Sequence, residues 1–158
     1  MKKLVTLLSA VLLLSGVAVA QSVTTPSQSL KLQYKGAQAV GNDIELTVLL
    51  TNLSSQEVIV NLVGGVYQTG MSGSVVYDSE GNVYELGSVL VSVGNKNYTE
   101  QYCAGNFPSG VPVKCHILVR GVAGEATSFA KVKLCLLCQQ LDIQNTGVCF
   151  EMNNLPIR

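Results

Sequence analysis

Five cysteines and one histidine hold most of the reactive chemistry in this 158-residue sequence. Cys103, Cys115, Cys135, Cys138 and Cys149 offer sulfur for disulfides, for a soft metal or for thiol exchange, and His116 is the sole imidazole. Which chemistry applies depends on compartment, because disulfides persist in oxidising surroundings and are reduced in the cytosol.

The N-terminus supplies the compartment. Lys2 and Lys3 precede an apolar stretch from Leu4 to Val19, interrupted only by Thr6, Ser9, Ser15 and Gly16, and Ala18-Val19-Ala20 gives a small-x-small pattern before Gln21. This order of charge, apolar run and small residues predicts a cleavable signal peptide over residues 1–20. The run is shorter than the roughly 20 apolar residues of a spanning helix, and no cysteine adjoins the cleavage site to take a lipid. The expected location is therefore periplasmic or extracellular, with no transmembrane segment after cleavage.

Export makes disulfides the first reading of the cysteines. On an extended strand Cys135 and Cys138 stand roughly 10 Å apart, beyond the ~7 Å that a bridge tolerates. A chain reversal through Gln139 to Val148 would instead set Cys138 against Cys149, and Cys103 and Cys115 flank the loop Asn106 to Pro112. The expected pairs are thus Cys138 with Cys149 and Cys103 with Cys115, leaving Cys135 as a buried thiol or an intermolecular link. The alternative is a metal- or thiol-dependent protein using Cys135, Cys138, Cys149 and His116, with Cys135-x-x-Cys138 as half of a zinc site that Cys115 could also complete. Leu136 and Leu137 read as sheet core rather than a zinc knuckle. No helix is predicted whose N-terminus would activate a redox thiol.

The remaining polar groups do not converge in sequence. Cys115 and His116 are adjacent, so on a strand they point to opposite faces. Asp78, Glu80 and Asn82 alternate across a turn with Gly81 and could offer oxygens to Ca²⁺, but the closing ligands of a calcium loop are missing and a hairpin turn is the plainer reading. Tyr67, Tyr77, Tyr84, Tyr98 and Tyr102 are a candidate binding surface if one sheet face gathers them. Asn52-Leu53-Ser54 and Asn97-Tyr98-Thr99 fit the glycosylation sequon.

These groups must be positioned by strands. Ile44, Leu46, Val48 and Leu50 alternate with Glu45, Thr47 and Thr51, a two-residue period that a helix would scatter. Asn52 to Gln56 supplies turn chemistry before Val58, Val60 and Leu62, so these runs read as a hairpin. Ser74–Tyr77 and Val83–Glu85 read as a second hairpin across Asp78 to Asn82. Further strands are expected at Leu30–Tyr34, Val89–Val93, Tyr98–Cys103, Val113–Arg120, Phe129–Leu137 and Val148–Met152. The fold class is all-β: an antiparallel β-sandwich of about seven to nine strands over residues 30–158, preceded by a flexible tail over 21–29. The signal segment holds two of the ten basic residues and none of the ten acidic ones, so the remaining 138 residues carry a net charge of −2. That balance disfavours nucleic acid or a polybasic membrane contact.

Four patches carry a resemblance across most of the chain: Leu46-Thr47-Val48 with Thr51-Asn52, Val76 to Tyr84, Pro108-Ser109-Gly110-Val111-Pro112, and Leu155-Pro156-Ile157. In order and type they resemble the bacterial extracellular immunoglobulin-like domain family, the group that includes the secreted mycobacterial immunoprotective antigen. The resemblance implies an immunoglobulin-like sandwich of unknown function and transfers no functional residues. The expectation is an exported, non-enzymatic β-sandwich that binds a protein or a cell-envelope component, with no catalytic residues, cofactor or metal.

Overall fold

The computed structural model describes residues 21–66, 73–122, 124–141 and 143–158, with backbone alone for 143–146. The expected signal peptide and Tyr67 lie outside the described residues. Eleven strands follow in chain order: β1 Ser22–Thr24, β2 Leu30–Val40, β3 Asp43–Asn52, β4 Val58–Val63, β5 Val75–Asp78, β6 Val83–Tyr84, β7 Val89–Val93, β8 Tyr102–Phe107, β9 Pro112–Val119, β10 Ser128–Cys138 and β11 Ile143–Pro156. A smaller sheet has the order β2-β3-β9-β7. The larger has the order β1-β11-β10-β4-β8, with β5 also pairing β10 and β6 pairing β5. All named pairs are antiparallel. Two antiparallel sheets enclosing one core make the β-sandwich that the alternating pattern predicts.

The core follows from that alternation. Along β3 every second residue, Ile44 to Asn52, is buried while the intervening ones are half-exposed. Leu46, Leu50 and Ile117 from the smaller sheet meet Leu62, Leu134, Phe129, Phe150 and Phe107 from the larger one in a single buried cluster. Each such side chain contributes about 1.5–3 kcal/mol by leaving water, which is why both sheets belong to one domain.

Four expectations are corrected. Residues 21–29 do not form a free tail: Ser22, Val23 and Thr24 pair with Asn153, Met152 and Glu151 at the edge of the larger sheet, and Val23 packs against the core. Strand β8 begins four residues later than expected, because Thr99 is taken by an isolated bridge to Val91. The strand count among the described residues is eleven, above the seven to nine expected: every run read from the sequence forms a strand of its own, and β1 is added from the supposed tail. Lastly, β3 and β4 are not a hairpin. They lie in opposite sheets, and the Asn52–Gln56 turn carries the chain across the sandwich. Both strands bury an alternate row, so the pattern records burial while leaving the partner strand open.

The β5–β6 hairpin forms as expected, with Val76 opposite Tyr84 and Tyr77 opposite Val83. Asp78, 2% exposed, organises its turn. Its Oδ1 accepts from the backbone N–H groups of Glu80 (2.9 Å) and Asn82 (2.8 Å), and its Oδ2 from Asn82 Nδ2 and Tyr84 Oη, both at 2.8 Å. Every bond runs from a donor of the hairpin to the carboxylate, three from the turn and one from Tyr84 of β6, so this is hairpin chemistry rather than an open calcium loop. Burial pushes the carboxyl pKa up, but the four hydrogen bonds outweigh it and the net shift is downward. A lowered folded value means stability that is present above the unfolded pKa and lost as pH falls through the folded one. The melting temperature is therefore expected to drop as pH falls below about 4. Asp78→Asn, which cannot ionise, is expected to start less stable at neutral pH and to lose this component of the acid dependence. Thermal melts between neutral and acidic pH check both, and an unchanged acid limb in the variant would contradict the assignment.

Candidate functional site

The end of the sandwich where β3 hands over to β4 is built around one buried amide. Asn52 is fully buried. Its Nδ2 donates to the carbonyls of Gln56 (2.6 Å) and Phe107 (2.9 Å), and its Oδ1 accepts from Ser54 N (2.9 Å) and Ser54 Oγ (2.7 Å). The backbone closes the same frame: Gly110 N donates to Asn52 O at 2.8 Å and Leu53 N to Ser29 O at 2.8 Å. Ser109 Oγ donates to Ser54 O. Three connectors, 25–29, 53–57 and 108–111, are thus tied together through hydrogen bonds. Gly110, at φ 72°, allows the last of them to turn.

This frame presents apolar side chains to solvent. Leu53 is 54% exposed, Val111 49% and, at the start of the adjoining β4, Ile59 47%. Beside Leu53 runs a cleft of about 490 Å³ lined by Thr25 to Gln28, Leu30 and Lys31. The hydrogen bonds of the frame fix the backbone on which Leu53 and Val111 stand. The sequon at Asn52 is closed by the same geometry: an amide spent on two buried carbonyls cannot carry a glycan. Asn97, in the second sequon, is exposed.

His116 sits elsewhere, on the outer face of the smaller sheet. The ladder places it between Thr47 of β3 and Ser92 of β7. Its Nδ1 lies 3.4 Å from Glu45 Oε1 and 3.4 Å from Thr47 Oγ1. Tyr98 Oη donates to Glu45 Oε2, and Gln38 Nε2 donates to Oε1 at 3.4 Å. Burial, then the bond and charge of Glu45, hold the Tyr98 hydroxyl protonated far above the ordinary tyrosine range. This cluster joins groups distant in sequence, and only the strand register brings them together. Of its two hydroxyls of alcohol type, Thr47 Oγ1 lies beside the imidazole, whereas Ser92 is buried and its Oγ donates to Lys96 O at 2.6 Å. Neither the cleft beside Leu53 nor one of about 610 Å³ at the opposite end, lined by Ile44, Val122, Ile157 and Arg158 among others, includes any member of the cluster.

The cysteines pair differently from the expectation. Cys135 is bonded to Cys149, with Cα atoms 4.0 Å apart, because these residues stand directly opposite each other on β10 and β11. The chain reverses earlier than expected, so β11 begins at Ile143 and Cys138 faces Ile143 across a register shift. Cys138 is therefore a buried thiol, as are Cys103 and Cys115. The expected Cys138–Cys149 bridge is replaced by Cys135–Cys149, and Cys103 and Cys115 are unbonded on opposite sheets. The proposed metal set is also dispersed: Cys135 and Cys149 are consumed in the disulfide, Cys138 points into the core and His116 lies on the other sheet. No group of three or more His, Cys, Asp or Glu side chains able to hold a metal occurs among the described residues.

Nor do the four described tyrosines of the candidate surface form one face. Tyr84 is buried against Asp78, Tyr98 is committed to Glu45, and Tyr77 and Tyr102 are exposed on separate strands of the larger sheet. Leu53 and Val111 were absent from the expected sites; two isolated apolar residues in turn segments give no periodic signal.

No family model matches the chain and no characterised protein matches its sequence. Among solved structures it is similar to the GAE domain of GGA2p from Saccharomyces cerevisiae, at 17% identity and a TM-score of 0.41, over 87% of this chain and 98% of that one. A likeness at that level assigns no function.

Proposed function

We propose that this chain is an exported, non-enzymatic interaction domain that binds a protein or cell-envelope component through the Leu53–Val111 end of its sandwich. The observation that carries the reading is the Asn52 frame, which fixes three connectors and leaves Leu53 and Val111 about half exposed. Export rests on the signal-like segment over residues 1–20 and is supported by the Cys135–Cys149 disulfide, a bond favoured in an oxidising compartment. Strand β1 begins two residues beyond the expected cleavage point, so every described strand lies on the mature side of it.

The double substitution Leu53→Asp and Val111→Asp separates binding from folding. Both side chains already face water, so stability is expected to change by no more than about 0.5 kcal/mol. Charge placed in the centre of an apolar contact is expected to abolish recovery of the partner by the affinity-tagged protein from envelope or culture fluid. Equal recovery of the same partner by wild type and double variant would place the contact elsewhere.

A further inference from the structure

Three cysteines outside the disulfide are buried in a chain with the marks of export, and two of them, Cys103 and Cys115, enter the core from opposite sheets. We propose that Cys103 and Cys115 are a covalent site of their own: a dithiol spanning the two sheets that closes to a disulfide by exchange with an external disulfide. Cys103 lies on β8 of the larger sheet, and Cys115 on β9 of the smaller; both point into the same buried cluster. The two sheets approach closely at this corner. Cys103 and Gly105 share the inward face of β8, and a Cβ added to Gly105 would lie 2.4 Å from Val93 Cγ1. Val93 is in turn the ladder partner of Cys115. Facing sheets ordinarily stand ~10 Å apart, more than the ~7 Å between Cα atoms that a disulfide spans. The missing side chain at Gly105 is what lets β8 come in toward β7, the ladder neighbour of β9. Electrostatics agrees with the proximity: burial, and after it the charge of Cys103, push the Cys115 thiol up to about 12.

The same features set the order of events. Cys103 is on the outermost strand of its sheet and is 6% exposed, whereas Cys115 is fully buried, so Cys103 is the entering thiol. Its thiolate attacks one sulfur of a small disulfide such as oxidised glutathione; the S–S bond breaks, a mixed disulfide forms on Cys103, and one glutathione thiolate leaves. Cys115, as thiolate, then attacks the Cys103 sulfur, forming the protein disulfide and expelling the second glutathione thiolate. The two cysteine protons end on the two released thiolates, and the glutathione disulfide is the species reduced. Because the closed core holds Cys115 protonated, exchange proceeds through opening of the β7–β8 corner or during folding, before that corner closes. Cys138 faces Ile143 at the end of β10 and takes no part.

Peptide mapping reads this out without ambiguity. Trypsin cleaves after Lys96, Lys114, Arg120 and Lys133, which places Cys103 in residues 97–114, Cys115 in 115–120, and the other three cysteines together in 134–158. Purified protein is incubated with oxidised glutathione, both folded and during refolding with Cys135–Cys149 intact. The expected result is a 97–114/115–120 cross-linked peptide and a fall in thiols titrated in denaturant from three to one, faster in the refolding sample. The Cys138→Ser variant is expected to go from two to none with the same linked peptide. Retention of all three thiols in both samples, or a linkage that recruits residues 134–158 in place of either partner, would overturn the proposal.

Discussion

Asn52→Ala is expected to destabilise the protein by about 3 kcal/mol. The substitution deletes two donated and two accepted hydrogen bonds at a position with no exposure. A buried polar group left without its partner costs about 1–3 kcal/mol, and here the Phe107 carbonyl is stranded inside the corner where the chain passes between sheets. Water cannot take the place of the amide without opening the 53–57 and 108–111 connectors. Urea denaturation is expected to show a lower midpoint at unchanged slope, and Asn97→Ala, at the exposed second sequon, a change within about 0.5 kcal/mol. Equal effects at the two asparagines would refute the role given to the Asn52 frame. Since that frame also holds Leu53 and Val111 in place, Asn52→Ala is further expected to weaken binding under conditions where the variant is still folded.

Gly65→Ala is expected to cost a similar amount, about 3 kcal/mol or more, by a different route. A Cβ at Gly65 would lie 1.9 Å from the Leu86 carbonyl oxygen and 2.6 Å from its amide nitrogen. Both are backbone atoms and cannot swing aside. Leu86 is itself held at φ 50° in the turn before β7, so it has little freedom to yield. Relief would require the segment after β4 to lift away, breaking the bonds from Gly64 N to Gln101 O (2.7 Å), Gly65 N to Val89 O (2.8 Å) and Val66 N to Glu100 O (2.9 Å). Overpacking a fixed contact costs about 1–3 kcal/mol, and the stranded backbone groups add to it. Gly124→Ala, where an added Cβ meets open space, is the control and is expected to change stability by less than about 0.5 kcal/mol. A Gly65 variant as stable as the Gly124 one would show that the Leu86 turn is not the rigid obstacle described.

How much of this could be read from sequence depended on whether the cause was local. The alternation from Ile44 to Leu50 marks a strand with one buried face on its own evidence, and Asp78 to Asn82 marks a turn because its donors and acceptors lie within five residues. By contrast, nothing local distinguishes a hairpin from a corner between sheets at Asn52: the deciding contacts are to Phe107 and Gly110, more than fifty residues away. The disulfide failed for the same reason in a subtler form. Whether Cys149 meets Cys138 or Cys135 depends only on where the chain turns between β10 and β11, and a turn a few residues tighter changes the pairing. Val23 gave no strand signal because a three-residue edge strand has no period to show. The Glu45, Tyr98 and His116 cluster, and the Leu53 and Val111 tip, are products of register and loop packing.

Site-specific photo-crosslinking tests the central claim most directly. A benzophenone amino acid is placed either at Leu53 or at Val40, which is 49% exposed at the opposite end of the sandwich, and the tagged protein is irradiated in cells that export it. The two positions match in exposure and apolar character, so only location differs. A discrete adduct from position 53 with none from position 40 is the expected result. An adduct from position 40 alone, or none at 53 while another surface cross-links, would contradict the assignment of the Leu53–Val111 end as the binding surface.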